Sequence, residues 1–162
     1  MLSPDIYLRS VCDIDLDALH TQGVDTLLMD LDNTILPRDG NVVPESVIAW
    51  AASLRDAGFK VVLVSNNWHE RVHTIAEELG FMLVAKAVKP LPFAFWRALS
   101  LAGATREHAA VVGDQLFTDV LGGKLIGCKT IMVLPLSTSD LPHTLMLRHV
   151  ERVVLGGRQP QP

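Results

Sequence analysis

The stretch Thr26-Leu27-Leu28-Met29-Asp30-Leu31-Asp32-Asn33-Thr34 decides how the chain is read. A short apolar run stops on an acidic residue, and a second acid follows two positions later. Continuous rather than alternating apolar character suits a strand covered on both faces, as in a parallel sheet. Four more runs share this form: Val61 to Val64 before Ser65, Phe81 to Val84, Ala109 to Val112 before Gly113 and Asp114, and Thr130 to Leu134.

Helical patterns lie between the runs. Pro44 and Glu45 open a segment carrying Val47, Ile48, Ala51 and Leu54, with Gly58 beyond its end. Glu70 to Leu79 stops at Gly80, Pro92 starts Phe93 to Ala102 before Gly103, and Thr118 to Ile126 is closed by Gly127. Proline in a first turn and glycine past a last turn are helix punctuation. Phe93 and Trp96, at helical spacing, are expected in the core. Strands alternating with helices predict an α/β three-layer sandwich around a Rossmann-like, mostly parallel sheet with right-handed crossovers. At 162 residues the chain is expected to form one domain, with the Gly/Pro/Gln-rich tail from Gly156 to Pro162 frayed.

Composition narrows the function. A hydrophobic fraction of 49% and a charged fraction of 20% are those of a soluble globular protein. The net charge of −4 argues against a nucleic-acid partner, which calls for a basic excess. Acids crowd the first forty residues, whereas Lys124, Lys129, Arg148, Arg152 and Arg158 oppose Asp140 and Glu151 near the end. That basic segment reads either as a solvated helix face or as a contact for an anionic surface. Two distant cysteines, Cys12 and Cys128, form neither a disulfide framework nor a zinc pattern, so a reducing, cytoplasmic setting is expected. No cationic, apolar leader opens the chain, and no apolar stretch has the length of a membrane span. The six histidines lack ligand spacing, and Gly122-Gly123-Lys124 lacks the flanking residues of a P-loop.

Ligands of open parallel sheets bind beyond the carboxyl ends of the strands. Asp30 and Asp32, Ser65 and Asn66, Lys89, and Asp114 all fall at such ends. One carboxylate can attack phosphorus, and a second, two residues on, can move the protons. Carboxylates also suit Mg²⁺, which lets an anionic nucleophile meet an anionic substrate. A hydroxyl, an amide and a lysine can neutralise the phosphoryl oxygens. Taken singly, each of these residues is also an ordinary turn or cap residue, Thr118 and Asp119 included.

Asp30-Leu31-Asp32-Asn33-Thr34, Val64-Ser65-Asn66-Asn67, Lys89-Pro90 and Gly113-Asp114-Gln115-Leu116-Phe117-Thr118-Asp119 together resemble the four ordered motifs of the haloacid dehalogenase (HAD) superfamily, subfamily IIIA. The resemblance runs through nearly the whole chain and is greatest to the YqeG-type branch, which groups with phosphatidylglycerophosphate phosphatases. It implies Asp30 as nucleophile and metal ligand, and Asp32 as general acid and base with its carbonyl on Mg²⁺. It also implies Ser65 and Asn66 on the phosphoryl oxygens and Lys89, with Lys86 as rival, offsetting charge. Asp114 becomes a metal ligand, with Thr34 and Asp119 in support.

About thirty residues separate Asp32 from Ser65, so a capless enzyme with an open site is expected. The branch implies phosphatidylglycerophosphate as substrate and peripheral contact at the inner face of a membrane. A phosphoprotein or a soluble ester remains an alternative. Ile6, Tyr7, Leu8 and Val11 either supply that interfacial contact or pack on the sheet edge. A receiver-like module or an idle scaffold of the same fold is the alternative to an enzyme. Motif order opposes the receiver, because the acidic pair at Asp30 follows the first central run.

Overall fold

The computed structural model describes residues 2–137 and 142–161. Six strands, β1 (Ile6–Leu8), β2 (Thr26–Met29), β3 (Lys60–Val64), β4 (Met82–Val84), β5 (Ala109–Gly113) and β6 (Lys129–Val133), form one sheet in the order β1-β6-β5-β2-β3-β4. Every pairing is parallel. All four residues of β2 are buried, as its unbroken apolar run requires.

Successive strand residues point to opposite faces, so each strand feeds two cores. Leu27, Met29, Val61, Leu63, Ala110 and Val112 meet α1 (Leu16–Thr21), α2 (Glu45–Asp56) and α3 (Glu70–Leu79) on one side. Leu28, Val62, Val64, Ala109 and Val111 meet α4 (Pro92–Ala102) and α5 (Leu121–Ile126) on the other. Helices on both faces of the sheet make three layers, as expected. β2 is joined to β3 through α2, and β3 to β4 through α3, with no inserted cap in either connection.

Several expectations are corrected. Phe93 and Trp96 are exposed rather than core. The inward face of α4 is already filled by Ala94, Phe95, Ala98, Leu99 and Ala102, so the remaining aromatic residues face solvent. The segment 116–126 is not one regular helix: a π-helical turn, Leu116–Val120, precedes α5. The tail is not frayed over its described part. Arg158 Nη1 donates to the Pro4 carbonyl at 3.0 Å, and the Gln161 amide donates to Tyr7 O at 2.8 Å.

Of the N-terminal apolar group, Tyr7, Leu8 and Val11 are buried, and Ile6 to Leu8 form the edge strand. This settles that group in favour of packing on the sheet edge. Gly122 and Gly123 are packing residues. A Cβ on Gly122 would lie 2.3 Å from a Phe95 ring carbon, and one on Gly123 would lie 2.7 Å from Thr130 Cγ2. Among the described residues, no helix is long and apolar enough to cross a membrane.

Candidate active site

Strand order reverses between β2 and β5: the chain runs outward from β2 through β3 to β4, then returns to the far side of β2. Parallel sheets open a crevice at such a switch point. Asp30 leaves β2 and Asp114 leaves β5 at this crevice, with the Asp30 amide still donating to Val112 O at 2.8 Å.

The chain turns sharply after Asp30. Leu31 O accepts from the amides of Thr34, Ile35 and Leu36 at 3.2, 3.1 and 3.3 Å. Asn33 holds a left-handed φ of 63°, which asparagine tolerates better than most residues. Its Oδ1 accepts from the Arg38 amide at 2.9 Å and from Ser137 Oγ at 2.7 Å. The turn brings the Thr34 hydroxyl back to donate to Asp30 Oδ2 at 3.2 Å, and it lies 3.5 Å from Asp114 Oδ1.

Lys89 is the centre of the site. Its ammonium is buried and donates to Asp30 Oδ1 at 2.7 Å and to Asp119 Oδ1 at 2.6 Å. Burial pushes the ammonium toward its neutral form, but the Asp119 and Asp30 carboxylates more than reverse this, so its pKa stands above the ordinary lysine value. The Lys89 amide donates to Asn66 Oδ1 at 2.7 Å, so the asparagine side chain fixes the lysine backbone. Ser65 Oγ accepts from the Asn67 amide at 3.1 Å. The rival, Lys86, is exposed.

Asp119 lies on the π-helical turn, and its other oxygen accepts from the Gln115 amide at 3.2 Å. Room for it exists because residue 113 is glycine: a Cβ there would sit 2.2 Å from Asp119 Cγ. Burial raises the pKa of Asp119. The Lys89 ammonium opposes that rise and the Asp30 carboxylate adds to it. Asp114 is raised by burial first and then by the negative Asp30 and Asp119, with Arg148 opposing.

Asp30, Asp114 and Asp119 each present an oxygen, all within 4.8 Å of one another. These buried, hard donors suit Mg²⁺. Three carboxylates stand against the ammonium of Lys89 and the guanidinium of Arg148, an imbalance that a divalent cation would offset. Asp32 stands apart from this cluster, with Arg71 Nη1 at 3.2 Å and Asn67 Nδ2 at 3.4 Å. It lines, with Asp30, Ser65, Asn66, Lys89, Trp68 and Leu147, an open cleft of about 350 Å³.

Two residues of the site lie outside the motifs. Arg148, on α6 (Pro142–Val154), pairs with the Asp114 carboxylate and donates to the Asp114 carbonyl at 2.7 Å. It is held by Glu151, whose other oxygen accepts from the Leu116 amide at 2.7 Å. The basic segment is therefore, at Arg148, neither a solvated face nor a free anionic-surface contact. Arg71, in the first turn of α3, clamps Asp32 and donates to the Pro37 carbonyl at 3.2 Å. A cation in a helix's first turn opposes the macrodipole, and that violation was a legible hint of a tertiary role. Arg148 carried no such signal.

The sequence profile of a family described as HAD-hydrolase-like matches residues 86–146. The chain is 38% identical over 153 residues to the probable phosphatase YqeG of Bacillus subtilis, covering 94% of this chain and 89% of that one. It is 28% identical to a chloroplastic phosphatidylglycerophosphate phosphatase 1 of Chlamydomonas reinhardtii, over 91% of this chain and 59% of that protein. Among solved structures, the cobalt-bound form of the deoxy-D-mannose-octulosonate 8-phosphate phosphatase of Haemophilus influenzae superposes with a TM-score of 0.57 at 16% identity. The match covers 84% of this chain and 90% of that one. At that identity the likeness speaks for the fold. The switch-point cluster, the ordered motifs and the full-length likeness converge: the chain belongs to the YqeG-type phosphatases of the HAD superfamily.

Proposed function

We propose that this phosphatase is a Mg²⁺-dependent phosphomonoester hydrolase that works through an aspartyl-phosphate on Asp30, with phosphatidylglycerophosphate as its substrate. The observation that carries the mechanism is the buried Lys89 bridge between Asp30 and Asp119 beside Asp114, at the switch point of the sheet. The likeness to a phosphatase named for phosphatidylglycerophosphate supports the substrate. On this reading residues 1–162 act as one catalytic unit, peripheral at the cytoplasmic face of a membrane.

Asp30 Oδ attacks phosphorus while the ester P–O bond breaks, and Asp32 gives its proton to the leaving alkoxide. Water then attacks the acyl phosphate, Asp32 takes the water's proton, and inorganic phosphate leaves with the Asp30 carboxylate regenerated. Arg71 and Asn67 aim Asp32 across the cleft toward the leaving group. Lys89, Ser65 and the Asn66 amide bind the phosphoryl oxygens as charge builds. Thr34 orients Asp30, and Asp119 keeps Lys89 charged and directed. Asp30, Asp114 and the Asp32 carbonyl would hold Mg²⁺, which offsets negative charge between nucleophile and phosphate.

The test is phosphate release from phosphatidylglycerophosphate in mixed micelles beside soluble phosphate esters, each with Mg²⁺, with EDTA and with Asp30→Asn. Lipid turnover well above the esters, lost by at least about 10³-fold in the variant, is expected. Turnover of soluble esters alone removes the lipid substrate. Undiminished turnover by Asp30→Asn refutes the nucleophile.

A further inference from the structure

The carboxyl edge of the sheet carries an apolar rim that neither core uses. Trp68, Val88, Phe93 and Trp96 are between 53% and 69% exposed, and Leu91 is close behind. These residues occupy neighbouring segments. The loop after β3 is tied to the loop after β4 by the Lys86 amide on Asn67 O at 3.4 Å and the Lys89 amide on Asn66 Oδ1 at 2.7 Å. The Leu91 amide donates to Val88 O at 3.1 Å, and Phe93 and Trp96 stand edge to face with ring centroids 5.8 Å apart. Trp68 itself lines the cleft beside Asp30 and Lys89. The rim therefore borders the mouth of the site.

Its charge is one-sided along the β4–α4 segment, whereas Glu70 is an exposed acid two residues from Trp68. From Gly80 to Arg106 the chain has Lys86, Lys89, Arg97 and Arg106 and no acid, although the protein as a whole is at −4. Lys89 is buried in the site, whereas Lys86 and Arg97 are exposed within the rim. Amphipathic aromatic rings settle at headgroup depth in a bilayer, and cations beside them are drawn to anionic lipid. We propose that Trp68, Val88, Leu91, Phe93 and Trp96, with Lys86 and Arg97, form a docking face for an anionic bilayer, seating the cleft mouth at the headgroup layer. This deepens the lipid-substrate reading and rests on it. The interfacial face thus lies at the start of α4, not at the N-terminus of the chain.

The experiment floats wild type and the Phe93→Ser/Trp96→Ser variant with phosphatidylcholine vesicles, with and without phosphatidylglycerol. Both replaced side chains are exposed, so melting and p-nitrophenyl phosphate turnover stay at wild-type values. Wild type is expected to float with the anionic vesicles, and the variant to bind at least about tenfold more weakly. Wild-type tryptophan emission should shift to the blue on those vesicles, since Trp68 and Trp96 start exposed while Trp50 is already buried. Equal flotation of both proteins overturns the proposal, as does flotation of neither. Self-association that the variant abolishes, without flotation, makes the rim a protein interface and overturns it too.

The substrate reading is judged separately with dihexanoyl phosphatidylglycerophosphate dispersed as monomers, which needs no docking. If wild type hydrolyses it well above p-nitrophenyl phosphate but never floats, the rim fails and the substrate reading stands. If wild type floats but ignores the lipid, the docking face stands and the substrate reading fails.

Discussion

Adding one methyl group at Gly113 should disable the site from behind. Gly113 is not in the left-handed region, so the backbone accepts alanine, but the new Cβ would lie 2.2 Å from Asp119 Cγ and 2.5 Å from Asp119 Cβ. Contacts that short do not occur, so Asp119 must move and its 2.6 Å bond to Lys89 is lost. Breaking a buried ion pair costs about 3–5 kcal/mol. Asp30 still holds the ammonium, which places the expected loss toward the lower figure. In a chain of this size that lowers Tm by on the order of 10 °C. Turnover should fall by about 10²-fold or more as Lys89 loses its aim.

The assay is a double-mutant cycle followed by thermal melting and ester hydrolysis. Asp119→Gly removes both the carboxylate and the clashing Cβ, so Gly113→Ala should cost less than about 1 kcal/mol more in that background. An equal cost in both backgrounds refutes the steric reasoning. Wild-type Tm and turnover in Gly113→Ala alone would refute it sooner.

Arg148→Met removes the guanidinium that pairs with the Asp114 carboxylate, so metal-free Tm should fall while the Tm gain on adding Mg²⁺ grows; an unchanged gain in a Mg²⁺ melting series counts against this role. The pKa values of Asp114 and Asp119 are raised in the folded state, so their stabilising contribution is full below the ordinary carboxylate range, near pH ~4, and is lost as pH rises through the raised values. Metal-free Tm should therefore carry a falling contribution toward neutral pH, and the stabilisation by Mg²⁺ should increase over the same interval, as melting with EDTA or Mg²⁺ will show. Lys89→Met should abolish soluble-ester turnover, whereas Lys86→Ala should change it by less than about threefold; comparable losses would reverse the assignment of the lysine.

What was legible followed from polar residues stopping apolar runs. Asp30, Ser65 and Asp114 mark strand ends because a run buried on both faces must end where its first polar side chain reaches solvent or a site. The sequence leaves Asp119 with two readings, since a helix cap and the partner of a buried lysine look alike until the fold brings Lys89 to it. β1 is three residues long, too short to separate from other apolar clusters. Arg148 stayed hidden because, among the described residues of α6, polar side chains occupy much of the inner side. Met146, Val150 and Val153 face out, while Arg148 and Glu151 face the protein. Apolar periodicity points to the wrong side of such a helix. Phe93 and Trp96 misled for a related reason: α4 is apolar around most of its circumference, and periodicity alone does not choose which side is covered.

The edge of the sheet sets an order on synthesis. β1 pairs with β6 and with no other strand of the sheet, and Asp5 contacts Thr130 across 125 residues of chain. A ribosome releases β1 well before its partner β6, so this segment waits unpaired while the strands between them are made. β2, β3 and β4 can assemble meanwhile, because each neighbour arrives within one helix of the last. Arg148, Glu151 and the tail that clips onto Tyr7 emerge later still. A nascent chain thus carries the nucleophile's strand well before the guanidinium that steadies Asp114, so the acidic cluster stands without this cation until α6 has been made.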